Sequence, residues 1–242
     1  VDTTEKEVRS DETQEEKGFD KFELFTAILL GIAAIGAAFA GYQSSLWGGK
    51  SSEAYGEAAT VATKAAADRS YAVTTISHDQ SVDIQAKRLI VEGADAEEDG
   101  DSGYAQRAYE VASYLYAVQF SEAAYKSFGL PAENRSDKTK QLNITPDVLK
   151  ASLVKDLETD YVNEMQAQSK KGFDESDKKF EEGRKANDTG DSYDLDVVIY
   201  TIALFFAGIG LVFKTNIRWK FFYVGVVVFV IATIYLVILP KA

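Results

Sequence analysis

Carboxylates at alternate positions are the densest chemical pattern in this sequence. Asp95, Glu97, Asp99 and Asp101 take the first, third, fifth and seventh places of DAEEDGD, with Gly100 at the sixth. A hard cation such as calcium gathers about six to eight oxygens, and calcium loops use this alternation with a glycine at the sharp turn. The twelfth place, where a bidentate glutamate would close the loop, is Gln106. The four acids are therefore a candidate calcium site. The competing reading is an acidic, solvated turn between helices.

Other spacings carry less. GGKS at 48–51 ends like a phosphate-binding loop, but the glycine required five residues before Gly49 is replaced by Ser44, and no buried strand precedes it. Ser152 and Lys155 have a serine–lysine spacing in a charged helix, without companion motifs. His78 is the single histidine, which excludes a histidine-pair metal site. Beside Asp79 it is either a pH-responsive contact or an ordinary polar position on a long helix. With no cysteines there are no disulfides, thiolate metal sites or cysteine nucleophiles. Paired carboxylates could serve acid–base chemistry, but nothing singles out a pair among 38 acidic residues. The chain is expected not to be an enzyme, and no catalytic or cofactor-binding residue is assigned.

The elements that would position these groups follow from where the apolar residues fall. The mean hydropathy is −0.17, a value typical of a soluble chain, yet the apolar residues lie in three charge-free blocks. These are LFTAILLGIAAIGAAFAGY, VVIYTIALFFAGIGLVF and FFYVGVVVFVIATIYLVIL. About 20 apolar residues in a helix span a bilayer core of about 30 Å. The expected fold is an all-α membrane protein: three transmembrane helices and an extramembrane bundle of about three long helices. Its parts are a disordered acidic tail (1–21), a first span (22–42), a helical extramembrane domain (43–196), a second span (197–213), a basic turn (214–220) and a third span (221–242). The tail lacks the basic start and short apolar run of a signal peptide.

Within the middle region, residues 51–92 read as helix, starting after a break at Gly48-Gly49. A loop follows at 93–103. Tyr109, Ala112, Tyr116, Phe120 and Ala123 fall at helical spacing within 104–128; such an aromatic stripe could stack a ligand, but more often marks a helix core. A loop at 129–145 leads to Thr145-Pro146, an N-cap followed by proline in the first turn. A charged helix then runs over about 146–186, and NDTGDSY (187–193) breaks it before the second span. Asn134-Arg135-Ser136 and Asn187-Asp188-Thr189 are glycosylation-type triplets, and Asn143-Ile144-Thr145 is a poorer one because Pro146 follows.

Small residues line two of the spans. Ala33, Ala37 and Gly41 recur every four residues, as do Gly36 and Ala40, and the second span adds Ala203, Ala207 and Gly210. Such stripes let backbones approach closely in lipid, where packing drives association. The expected seam joins either subunits or the chain's own spans. No span carries a central ionisable residue, which argues against a pump or proton-coupled transporter. Net charge −12 disfavours nucleic acid as a partner. Lys214, Arg218 and Lys220 in the turn, with Lys21 before the first span, place the tail in the cytoplasm and residues 43–196 outside.

The small-residue span TAILLGIAAIGAAFAGY, the helix SSEAYGEAATVATKAAADRSYA and the hairpin turn NIRWKFFYVG give an order of parts that resembles a group of small, uncharacterised bacterial membrane proteins, defined only as a domain of unknown function. The resemblance implies a bacterial inner (cell) membrane and a helical middle region. It implies no catalytic residues. The function expected is a structural or accessory membrane subunit in a homo-oligomer or larger membrane complex. The alternative is a sensor or channel component with a cation-responsive external loop.

Overall fold

In the computed structural model, residues 21–131 and 144–242 are described. The expected tail, Asn134 and Asn143 lie outside them, apart from Lys21. Every regular element among the described residues is helical: α1 (Lys21–Glu98), α2 (Ser102–Tyr114), a π-helical turn (Leu115–Gln119), α3 (Glu122–Ser127), α4 (Pro146–Ser152), α5 (Thr159–Val212) and α6 (Ile217–Ile238). Three of them, α1, α5 and α6, contain stretches long and apolar enough to cross a membrane. The chain divides into a first unit, 1–53 with 183–242, and a second unit, 54–182.

In the first unit, α1 presents Phe22, Thr26, Leu29, Ala33 and Ala40 as a buried stripe. Their spacing keeps one helix face toward its neighbours. The matching stripe of α5 is Tyr193, Asp196, Tyr200, Ala203 and Ala207. Gly36 makes room for the Tyr200 ring: a Cβ there would lie 2.6 Å from it. Gly225 of α6 packs onto the Ala203 carbonyl, where an added Cβ would lie 3.2 Å away. Tyr200 reaches Thr233 through its hydroxyl at 3.2 Å. The outward residues are apolar, with Ile35 71% and Val237 72% exposed, which suits hydrocarbon and not water.

The small residues of these helices lie against the chain's own neighbouring helices. Ala33, Ala40, Ala203 and Ala207 are buried there, Gly41 faces Val197, and Gly210 faces Phe22 and the Arg218 carbonyl. Ala37 packs at its edge beside Tyr200.

In the second unit, α1 and α5 run antiparallel. Lys179 pairs with Glu57 at 3.0 Å, Ser176 donates to the Ala58 carbonyl at 2.9 Å, and Gly172 admits Ala65, whose Cβ would be 2.8 Å from an added one. Ala58, Ala65 and Ala72, seven residues apart, are all buried. The larger core lies around α2–α4: Ile76, Ile90, Tyr109, Tyr116, Phe120, Phe128 and Leu149 pack together with Tyr161.

Several boundaries differ from expectation. The helix does not break at Gly48-Gly49; two glycines cost a helix only about 2 kcal/mol relative to alanine. Nor does NDTGDSY end α5. Its polar side chains bond within the helix, Thr189 to the Lys185 carbonyl and Ser192 to the Asp188 carbonyl, and Gly190 lets Trp47 and the Ser44 carbonyl approach to 3.6 Å of an added Cβ. The helix expected over 104–128 is divided by the π turn and by an extended Phe120 (ψ 144°). The helix expected over 146–186 splits into α4 and the start of α5. Thr145 and Pro146 do start α4, though the Thr145 side chain makes no capping bond. The second unit thus contains two long helical segments and several short helices, in place of three long ones. The basic turn narrows to 213–216, and Arg218 and Lys220 belong to α6.

Candidate functional site around the π-helical turn

The heptad-like run 72, 76, 79, 83, 86, 90 faces the core of the second unit, and two of its members are aspartates. A buried carboxylate is tolerated only when donors replace the water it loses. Asp79 is fully buried and has three donors: the Ser121 backbone N–H at 2.8 Å, the Ser121 hydroxyl at 2.6 Å and the Tyr161 hydroxyl. Ser121 is also the N-cap of α3, accepting from Ala124 N–H. Asp79 therefore fixes the point where the π turn ends and α3 begins. π turns recur at functional sites because they expose backbone groups inside a helix. Here the freed Gln119 carbonyl lies 3.0 Å from His78 Nε2, so His78 is an exposed clasp on that turn.

Asp83, one turn on, accepts from the Tyr116 hydroxyl at 2.9 Å and pairs with Lys87 at 2.9 Å. Lys87 also donates to Asp156 at 3.0 Å and to the Lys155 carbonyl. Ser152 reaches the Tyr116 hydroxyl at 3.4 Å and donates to Leu149 O. Lys155 donates to Phe128 O at 2.5 Å, below the mutually packed rings of Tyr116, Phe120 and Phe128.

Burial, ahead of the bond to Asp79, pushes the Tyr161 hydroxyl well above its ordinary range. Tyr116 is pushed up in the same way, with Asp83 adding to burial and Ser152 opposing it. For Lys87, burial favours loss of the proton, but the bonds to Asp83 and Asp156 outweigh it and the ammonium is held above its usual value. Both tyrosines are thus held as donors and Lys87 as a cation. A group set to transfer protons needs a pKa near the working pH and an unfilled place beside it. This network is saturated, and its chemistry is that of a lock on the short helices.

The four expected calcium ligands are placed differently. Asp95 and Glu97 sit on α1, which runs to Glu98 where the loop was expected to begin at 93. Gly100 has φ +81°, its N–H bonds the Glu97 carbonyl, and the Asp101 N–H bonds the Ala96 carbonyl. That pair of bonds is the Schellman termination of a helix. Asp101 then caps α2 through Tyr104 N–H at 3.0 Å. Glu97 accepts from Lys150 at 2.5 Å and Tyr109 at 3.2 Å, and the Lys150 bond, first among the causes, draws its carboxyl below the ordinary range. Among the described residues no three acidic or histidine side chains converge as metal ligands. The glycine read as a calcium-loop turn serves as a helix C-cap.

A cleft of about 410 Å³ opens beside this turn, lined by Glu97, Tyr109, Glu110, Ser113 and Thr145 among others. The aromatic stripe of 104–128 contributes Tyr109 to it, while Tyr116 and Phe120 lie fully inside the core. The chain matches no family model, no curated protein and no solved structure.

Proposed function

We propose that the chain is a non-catalytic accessory subunit, held in a bacterial inner membrane by three spans and assembling through its second unit. One observation carries the reading. Tyr104, Val111, Tyr114 and Val118 run along α2 into the π turn at spacings of seven, three and four, and all four are exposed (42%, 48%, 48% and 38%). That spacing is the seam of a helix that packs on another helix. The small residues of the spans are engaged within the chain, so assembly through the membrane seam loses its main support and passes to this stripe. The saturated network behind it holds the stripe in one shape. The basic residues Lys214, Arg218 and Lys220 favour a cytoplasmic turn and an extracytoplasmic second unit.

The test is the mass of the complex extracted in mild detergent, for the native chain and for Val111→Lys with Tyr114→Lys, with and without calcium. A discrete homo-oligomer, or a complex with other membrane subunits, that dissociates on the double substitution supports the reading. A native monomer overturns it. A mass that changes with calcium transfers the weight to a cation-responsive sensor. Because the chain has no cysteine, single cysteines at Glu98 and Thr215 report sidedness cleanly; labelling of both from the same side overturns the topology.

A further inference from the structure

Asp196 is the one carboxylate in the described first unit that is fully buried, and neither of its oxygens has a hydrogen-bond partner. It stands one residue before the expected second span, on the face of α5 that carries Tyr193, Tyr200, Ala203 and Ala207. The register of the helices sets its surroundings. Tyr200, one turn further on, meets Gly36 of α1 and Thr233 of α6. Val197 meets Gly41. Tyr193, one turn earlier, donates to the Pro240 carbonyl at 3.2 Å. Asp196 therefore lies inside the seam, level with the fully buried Ala40.

The charged groups nearby do not compensate it. On its own helix the titratable neighbours are Tyr193 and Tyr200 on the buried face and Asp194, which is exposed and also acidic; the Tyr193 hydroxyl is raised by burial first and by the charge of Asp196 second. On α1, residues 36–47 hold a single titratable side chain, Tyr42, and it is 60% exposed. Lys50, the nearest cation on that helix, stands over the Trp47 ring at 4.6 Å. On α6 and the residues after it, 229–242, the titratable side chains are Tyr235 and Lys241, and neither bonds Asp196.

An ionised carboxylate stripped of water and left without donors costs several kcal/mol or more, and a group in that position takes up a proton instead. A metal cation would need a shell of oxygens, and two oxygens at this end of the seam already accept hydrogen bonds from the protein. The Pro240 carbonyl accepts from Trp47 Nε1 at 3.1 Å as well as from Tyr193, and Gln43 Oε1 accepts from Ala242 N–H at 3.0 Å. A proton needs no shell. We propose that Asp196 is a proton-binding site at the membrane boundary of the three-helix unit. Protonation leaves the seam neutral and closed; loss of the proton places a bare charge between α1, α5 and α6 and loosens their packing.

Infrared spectroscopy of the full chain in lipid tests this. In acid buffer the native protein should show the carbonyl stretch of a buried carboxylic acid. That band should disappear in mildly alkaline buffer, vanish in Asp196→Asn and shift in Asp196→Glu. The melting temperature of the native protein should fall between acid and alkaline buffer by several degrees more than that of Asp196→Asn. A native protein without the band in acid, or with a band untouched by both substitutions, overturns the proposal. So does a stabilisation of the native protein by sodium that Asp196→Asn abolishes, which would assign the site to an alkali cation.

Discussion

Replacing Tyr161 by phenylalanine removes a single hydroxyl and leaves the ring in its buried place. What is lost is one hydrogen bond to the Asp79 carboxylate, and bonds to charged groups contribute about 1.5–3 kcal/mol. Asp79 keeps both donors of Ser121, at 2.8 and 2.6 Å, so the carboxylate is weakened and not stripped. A loss near 2 kcal/mol is expected. Because every 1.4 kcal/mol is tenfold in an equilibrium, local opening around the π turn should become about thirtyfold more frequent. Amide hydrogen exchange of the intact protein in detergent measures this directly, over residues 115–131. Asp79→Asn should raise exchange over the same residues. The double variant should lose less than the sum of the two by about 1 kcal/mol or more, because both act on one contact. Tyr71→Phe, at a site 72% exposed, is the control and should change nothing. Exchange within twofold of native in Tyr161→Phe, or strict additivity with Asp79→Asn, would refute the claim that this network locks the turn.

Gly36→Val should destabilise the three-helix unit by about 1–3 kcal/mol, the cost of overpacking, since its Cβ would lie 2.6 Å from the Tyr200 ring; Gly31→Val, facing open space, should leave the melting temperature unchanged. Gly100→Ala forces a side chain into left-handed backbone at φ +81°, worth about 1–2 kcal/mol, and should speed amide exchange at 99–101 about tenfold. Glu97 is held below its ordinary value of 4.5, chiefly by Lys150. Its contact is thus complete above pH 4.5 and is lost only as the pH falls below that; a carboxyl titration by NMR with a midpoint at or above 4.5 would count against the Lys150 bond.

The apolar blocks made three helices long and apolar enough to cross a membrane legible, because length and absence of charge decide that question almost alone. The aromatic positions of α2 and the start of α4 at Pro146 were legible for similar reasons of spacing and local chemistry. Breaks were not. Gly48-Gly49 and Gly190 look like punctuation, yet tertiary contacts override a propensity of about 1 kcal/mol per glycine. At Gly190 the missing side chain instead makes room for the Trp47 turn. The acidic run 95–101 matched a ligand spacing in one dimension, but the helix that continues through Glu98 sends neighbouring acids to different faces. Tyr161 could not have been found, because its link to Asp79 crosses 82 residues.

Asp79, Asp83 and Asp196 did leave a signal, and it is the same for all three. Each occupies a position where the alternating three- and four-residue spacing requires an apolar side chain: 76, 79, 83, 86 in α1 and 193, 196, 200, 203 in α5. An acid in such a stripe loses its water whatever its partners, so the informative question is what replaces that water. For Asp79 the answer is three donors, and a fully satisfied carboxylate rigidifies its surroundings. For Asp196 the protein supplies none. The two burials are equal and the surroundings are opposite: the first carboxylate is met by three donors and the second by none. Exchanging the donors should therefore exchange the behaviour. An Ala40→Ser substitution, which offers a hydroxyl level with Asp196 on the facing helix, should favour the ionised carboxylate. It should shrink the carboxylic acid band at any given pH and reduce the pH dependence of the melting temperature. An unchanged band in a folded Ala40→Ser protein would mean that the missing donors are not what sets the state of Asp196.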